Sequence, residues 1–311
     1  MAEGEGKLMA VSRIDLGEGG PQFSRLALGL WRLASWELSP TELLDWIQAC
    51  LDMGITTFDH ADIYGGYTCE GLFGRALAQY PSLREKMQLV TKCGVKLVSA
   101  SRPEHAVNHY DTSRGHIVAS VENSLRALRT DWVDLLLIHR PDPLMNADEV
   151  AEAFVALKQS GKVLHFGVSN FVPSQFELLA SRLDFPLVTN QVELSVMNMN
   201  ALHDGTIDMC QRLRISPMAW SPLGGGRLFK ADTEQAIRLR QALDTVGETL
   251  GGASIDQVAL AWILAHPAKI IPVLGSGKID RIQRAVKAET LKLLREQWFA
   301  IWSASAGEPV P

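Results

Sequence analysis

The chain has 311 residues, 47 % of them hydrophobic, with a formal net charge of −5 and a pI near 5.9. So acidic a surface offers little attraction to nucleic acid or an anionic membrane, and any anion it binds has to be met by local cations. No stretch has the length and apolarity of a membrane span, residues 1–20 carry charges and glycines instead of the apolar core of a signal peptide, and Cys50, Cys69, Cys93 and Cys210 lack metal-type spacing. The expectation is one domain in a reducing cytoplasm, with no membrane or nucleic-acid partner.

In chain order, residues 7–15 and 22–28 mix apolar and polar positions around the glycine-rich 17–21, which predicts a hairpin able to close the floor of a barrel. Eight short β-branched or leucine-rich runs follow, at 26–30, 55–58, 88–91, 133–138, 163–168, 187–190, 215–220 and 270–274. Segments of helical period separate them. In the first, Ser39 and Glu42 form a capping box, Pro40 takes the first helical position, Gly54 follows the last turn, and Leu43, Ile47 and Leu51 share a face. Residues 253–266 repeat the pattern with Ser254 and Gln257, and Pro267 ends the helix. This alternation predicts an α/β chain closed into a parallel (β/α)₈ barrel. Two connections break the rhythm, 94–114 and the glycine-rich segment after Trp220, and loops of that length are commonly functional.

In such a barrel the chemistry sits at the carboxyl ends of the strands. Asp59, Lys92, His139, Ser169 with Asn170, Gln191 and Ser221 end six of the runs. Any one of them alone is the ordinary polar boundary of a strand; in phase they form a candidate site. Asp59, Tyr64, Lys92 and His139 suit the reduction of a carbonyl, which takes a hydride on carbon and a proton on oxygen. A phenol with pKa about 10 is a weak acid near neutrality. An ammonium about 4 Å away contributes about 4 kcal/mol at an effective dielectric of 20, roughly three pK units before desolvation opposes it. Lys92 is therefore expected to make Tyr64 a usable acid, with Asp59 holding Lys92 and His139 polarising the carbonyl oxygen. Singly, Tyr64 also reads as an aromatic capping the barrel mouth and His139 as a core histidine. A lysine at a strand end suits a Schiff-base aldolase too, but that leaves Ser169, Asn170 and Gln191 without a role. No metal is expected, because His105 and His109, four apart, could share one only on a helix.

These residues resemble the aldo-keto reductases. Phe58-Asp59-His60-Ala61-Asp62-Ile63-Tyr64-Gly65 looks like that family's Asp/Tyr signature, Lys92 and His139 follow its third and fourth strands, and Gly167-Val168-Ser169-Asn170-Phe171 and Asn190-Gln191-Val192-Glu193 look like its nicotinamide motifs. The resemblance runs from about Ser24 to Glu289, and within the superfamily it looks closest to the YdhF-type bacterial oxidoreductases. It implies NADP(H) as cofactor, a small carbonyl substrate, and a proton from Tyr64. Ser169, Asn170 and Gln191 would hold the carboxamide and Trp220 would stack on the ring, with Gly29, Trp31, Ser221 and Pro222 close by. Leu223, Gly224, Gly226 and Arg227 would cover the pyrophosphate with backbone N–H groups. Gly275, Ser276, Gly277, Lys278 and Arg281 would meet the 2′-phosphate at a helix start, although Lys278, Arg281, Arg284 and Lys287 also read as one solvated helix face. Gly275, Arg284 and Ala285 depart from the residues usual in the family. No G-x-G-x-x-G at Rossmann spacing offers another dinucleotide site. Some members of the superfamily bind NADP(H) to regulate a partner, and an intact tetrad is more than such a sensor needs.

Trp31, Trp36, Tyr67 and Arg140 are the expected pocket walls, with Arg140 either attracting a carboxylated or phosphorylated carbonyl compound or pairing with Asp142. Cys93, next to Lys92 in a strand, should face the helices and be inert. Cys69 reads as lying in a polar turn where oxidation could reach it. Nothing resembles a dimerisation heptad, and the expectation is a monomer.

Overall fold

The computed structural model describes residues 10–311, so residues 7–9 of the expected hairpin lie outside the described residues. The chain runs β1 (Arg13–Asp15), β2 (Gln22–Ser24), β3 (Ala27–Gly29), α1 (Pro40–Asp52), β4 (Thr57–Asp59), the short turn α2 (Tyr64–Tyr67), α3 (Cys69–Leu77), β5 (Gln88–Cys93), β6 (Val95–Lys96), β7 (His109–Tyr110), α4 (Arg114–Leu128) and β8 (Val133–Ile138). It continues through α5 (Ala147–Gln159), β9 (Val163–Ser169), α6 (Pro173–Ala180), β10 (Leu187–Glu193), α7 (Thr206–Leu213), β11 (Met218–Trp220), α8 (Arg227–Lys230), α9 (Glu234–Thr249), α10 (Ile255–Leu264), β12 (Ile271–Leu274), α11 (Ile279–Lys287) and α12 (Arg295–Ala306).

Eight parallel strands close in the order β3-β4-β5-β8-β9-β10-β11-β12, as the alternation predicts. The interior is filled by Ala27, Val90, Leu135, Leu137, Val188, Met218, Ile271 and Val273, and a second apolar layer joins the outward strand faces to the helices. The hairpin β1–β2 is antiparallel and sends Leu16 and Phe23, both fully buried, into the inner layer. It is fastened to the amino ends of the strands: Ser24 exchanges hydrogen bonds with the backbone and side chain of Thr57, and the Ser216 N–H donates to the Leu16 carbonyl. That closes the floor and leaves the carboxyl ends open.

Local chemistry explains most boundaries. In α1 both halves of the capping box form, the Glu42 N–H donating to Ser39 Oγ at 3.3 Å and the Ser39 N–H to Glu42 Oε2 at 2.8 Å. In α10 only the return half forms, Gln257 accepting from the Ser254 N–H at 2.9 Å while the Ser254 hydroxyl turns to Asp256. β11 begins at Met218, three residues later than its apolar run, because the Ser216 amide is spent on the hairpin and Pro217 has none. The 94–114 connection is partly ordered by the β6–β7 ribbon. Between α3 and α4 the backbones touch: a Cβ on Gly74 would lie 2.0 Å from the Ala127 carbonyl oxygen, so only glycine fits.

One element escapes sequence reading. α12 has no Ser, Thr, Asp or Asn cap, its first residue following Leu294, and its apolar positions are irregular. It is held by Trp298 stacked on Trp262 at 4.7 Å and 8°, the two indoles each donating to the other residue's carbonyl at 3.1 and 3.0 Å. That pairing ties α12 to α10.

Candidate active site

β4 ends on Asp59 and β5 presents Lys92 inward, while Cys93 points into the layer between strands and helices as period-two alternation requires. Lys92 is fully buried. Its Nζ lies 2.8 Å from both Asp59 carboxylate oxygens and from the His60 carbonyl, and donates to the Tyr64 hydroxyl at 3.1 Å. Burial opposes the ammonium, but Asp59 and then Tyr64 more than offset it, and the Lys92 pKa is raised. His139 completes the group, its ring edge-on to Tyr64 at 5.8 Å between centroids. Burial, then Lys92 and Arg140, hold its pKa well below the usual value, so the imidazole is neutral. Its Nδ1 is sealed without a partner, which leaves Nε2 as the nitrogen able to meet a ligand.

Lys92 does pull the Tyr64 pKa down, but the expectation that this makes the phenol a stronger acid overall is corrected. Burial is the largest influence and raises the pKa, Lys92 pulls it back, Asp59 pushes it up again, and the net shift is upward. The phenol thus keeps its proton across the neutral range, and the ammonium 3.1 Å away acts on the phenolate only when one forms.

The carboxyl ends of β9, β10 and β11 bring the other polar residues together. The Ser169 hydroxyl donates to the Gln191 carbonyl at 2.8 Å, Asn170 Nδ2 donates to Ser169 Oγ at 2.8 Å, and the Trp220 indole N–H donates to Asn170 Oδ1 at 2.9 Å. Asn170 after β9 and Ser221 after β11 both take positive φ, 63° and 51°, a left-handed backbone uncommon for a serine. Gln191 lies inside β10 and donates to Asp59 Oδ1 at 2.9 Å, a link between the two residue groups that spacing alone did not reveal.

Around the rim, Gly29 faces Asp59 in register, and a Cβ there would press within 2.9 Å of Val273 Cγ1. Trp31 is 61 % exposed with the Arg32 guanidinium over its ring, so it is a rim residue. Arg32 also donates to the Gly225 carbonyl at 3.3 Å, joining the loop after β3 to the glycine-rich loop after β11, a contact no sequence signal marked. In that loop Pro222 is buried and Leu223 half-buried, and Gly224, Gly225 and Gly226 all have positive φ. Arg227 is already engaged, by Glu193 at 3.2 Å and by the Gly224 carbonyl at 3.1 Å. At the start of α11, Ser276 Oγ accepts from the Lys278 N–H, Gly275 is exposed, and a Cβ on Gly277 would meet the Trp36 ring at 2.6 Å. Lys278 and Arg281 are exposed and, among the described residues, in no ion pair, whereas Arg284 is engaged by Asp256 and Asp280. The basic residues of α11 are therefore not one uniform face.

Several expected pocket residues do other work. Trp36 packs on Trp46 and against Gly277 at the start of α11. Tyr67 anchors the long loop, its hydroxyl accepting from the Leu97 N–H at 2.8 Å. Arg140 does not pair with Asp142, whose carboxylate accepts from Thr112 Oγ1 and the Leu144 N–H. Cys69 is fully buried at the start of α3, not in a polar turn, and burial raises its thiol pKa. His105 lies in the connection between β6 and β7 and His109 in β7, neither on a helix, and their Nδ1 atoms donate to backbone carbonyls. Among the described residues no group of three His, Cys, Asp or Glu is placed to hold a metal.

Behind the tetrad lies a buried polar cluster that sequence reading passed over, although His60 and Asp62 stand inside the signature. Asp62 Oδ2 accepts from Ser120 Oγ at 2.8 Å while its Oδ1 is sealed without a partner, and Thr91 donates to Glu70. Burial and then Glu70 push the Asp62 carboxyl up to about 8, and burial pushes Glu70 up to about 6. The folded chain keeps the Asp62 proton from its ordinary value of 3.8 to about 8 while the unfolded chain releases it, so over that window this group costs stability as pH rises. Asp62→Asn should therefore raise the melting temperature more at pH 8 than at pH 5, and parallel Tm profiles for parent and variant would sink the assignment.

A closed (β/α)₈ barrel with a buried Lys–Asp pair, a tyrosine and a neutral histidine at its carboxyl end is the class of site described so far. The profile of the Aldo/keto reductase family matches residues 25–306. The chain is 56 % identical over 301 residues to the oxidoreductase YdhF of Escherichia coli, covering 97 % of this chain and all of that protein. It is 46 % identical over 290 residues to a 6-dehydroglucose reductase of Agrobacterium fabrum, covering 93 % of this chain and 96 % of the relative. Among solved structures, the thermostable aldo-keto reductase Tm1743 with the inhibitor epalrestat superposes with a TM-score of 0.80 at 28 % identity, covering 94 % and 99 % of the two chains. The chain belongs to the aldo/keto reductase family.

Proposed function

We propose that this chain is a monomeric, cytoplasmic, single-domain carbonyl reductase that uses NADPH and takes its proton from Tyr64. The observation that carries the reading is the four-way environment of Lys92 Nζ, a buried ammonium held by Asp59 and His60 with one donor aimed at Tyr64. A bound reduced nicotinamide supplies the hydride. Tyr64 gives its proton to the carbonyl oxygen as the negative charge develops there, Lys92 stabilises the phenolate left behind, and neutral His139 donates a hydrogen bond to the same oxygen. The phenolate then recovers its proton from water. The Schiff-base alternative needs a neutral Lys92 amine, and its raised pKa with Asp59 alongside opposes that. The name of the Agrobacterium relative supports sugar-derived carbonyls as one substrate type.

The fit to the cofactor rests on the chain's own donors. Asn170, oriented by Ser169 and Trp220, and the Gln191 amide suit a carboxamide. Lys278 and Arg281, in no ion pair among the described residues, sit at the amino end of α11, where the helix dipole disfavours cations and favours an anion, an arrangement that suits a 2′-phosphate. The four free buried cysteines are in keeping with a reducing compartment.

Titrating tryptophan fluorescence with NADPH and NADH tests this first. NADPH should bind more tightly, and Arg281→Ala should weaken NADPH by roughly ten-fold or more, as loss of a hydrogen bond to a charged group does, with little effect on NADH. Equal affinities for the two cofactors, unmoved by Arg281→Ala, would remove the phosphate assignment.

A further inference from the structure

Arg140 follows His139 directly at the mouth of the barrel, where the His139 N–H still bonds to the Cys93 carbonyl at 2.8 Å and so continues the β5–β8 ladder. Its guanidinium is carried over the Trp220 ring, 5.5 Å from the centroid, and Trp220 is itself fixed by Asn170. Its charge reaches both Tyr64 and His139, lowering the pKa of each. Arg140 is half-buried and, among the described residues, in no ion pair. The carboxylate nearest in sequence, Asp142, has its oxygens committed to Thr112 and Leu144. The Arg140 guanidinium, part-exposed at the mouth and taken by no carboxylate among the described residues, is free to donate to a group brought into the site.

We propose that Arg140 determines substrate selectivity by binding an oxygen acceptor, a hydroxyl or a carboxylate, that the substrate carries within a few carbons of its reacting carbonyl. The geometry behind this is the shared location: the carbonyl oxygen belongs between Tyr64 and His139, Arg140 is the next residue in the chain after His139, and its fork is braced on the Trp220 indole at the same end of the barrel. A fork of planar N–H donors fits vicinal oxygens, and it offers nothing to a plain alkyl chain. The inference rests on the carbonyl-reductase reading and adds the class of substrate that this site prefers.

The test compares three aldehydes with NADPH: glyceraldehyde, neutral and hydroxylated; succinic semialdehyde, anionic; and butanal, which has no second oxygen. In Arg140→Met the kcat/KM ratio of each oxygenated aldehyde to butanal should fall roughly 10- to 100-fold, mostly through KM. Arg140→Lys, which keeps the charge and loses the fork, should restore the ratio for succinic semialdehyde far better than for glyceraldehyde if carboxylates are the natural partner, and neither ratio if hydroxyls are. An equal loss on all three aldehydes would overturn the proposal and make Arg140 a support for Trp220 and His139. Calorimetric titration of the NADP-bound protein with the same compounds reads selectivity without turnover. A parent and Arg140→Met that bind glyceraldehyde and succinic semialdehyde alike overturn the proposal, whereas selective binding without reduction of any aldehyde overturns the carbonyl-reductase reading.

Discussion

Replacing Tyr64 with Phe is expected to lower kcat for carbonyl reduction by on the order of 10²–10⁴ and to leave NADPH affinity unchanged. The hydroxyl is the one atom of Tyr64 within hydrogen-bond reach of the Lys92 ammonium, at 3.1 Å, while its ring packs edge-on to His139. Phe keeps the ring and its burial, so fold and cofactor pocket are retained and the proton is lost. Because burial holds the parent phenol above its ordinary pKa, the parent should keep its proton-donating form through neutral pH, with no loss of reduction between pH 6 and pH 9 assignable to Tyr64. Steady-state rates with cofactor titration check both points. Unchanged turnover in Tyr64→Phe would take Tyr64 out of the mechanism and favour a cofactor-sensing role, for which the phenol is dispensable.

The second large effect is on stability as well as rate. Lys92→Met removes a fully buried cation and leaves Asp59, 2 % exposed, with Gln191 as its remaining side-chain donor. Breaking a buried pair from one side costs about 3–5 kcal/mol, because the surviving charge stays desolvated. That corresponds to a Tm loss of roughly 5–8 °C for a chain of this size. Activity should vanish too, since nothing else stabilises a Tyr64 phenolate. The double variant Asp59→Asn/Lys92→Met separates the two consequences: thermal stability should recover much of the loss while activity stays absent. A single variant as stable as the parent would mean that Asp59 is not held as a buried carboxylate.

Much of the barrel is legible along the chain because its causes are local. Period-two apolar runs, the Ser39/Glu42 box with Pro40, and glycine after a helix are set by backbone sterics and hydrogen bonding within a few residues. The strand-end residues Asp59, Lys92, His139, Ser169 and Asn170 are legible for the same reason, since the end of a strand is a local event and the fold then sends every carboxyl end to one face. Which partner each residue takes is not local. Gln191 reaching Asp59 across 132 positions, Trp262 and Trp298 trading carbonyls, and Arg32 bridging to Gly225 arise only when distant elements are packed together.

The sign of the electrostatics belongs to that same second category. Spacing placed Lys92 beside Tyr64, but whether the ammonium or the loss of water governs the phenol depends on how completely the barrel encloses them, which no run of residues records. Sequence by itself therefore determined the family, the barrel and which polar residues stand at the ends of its strands. The tertiary structure alone decided that Trp36 packs on Trp46 and Gly277, that Cys69 is sealed, that Asp142 is already satisfied, and that Arg140 is left without a carboxylate partner among the described residues, because burial and pairing are properties of neighbours that the chain brings together only on folding.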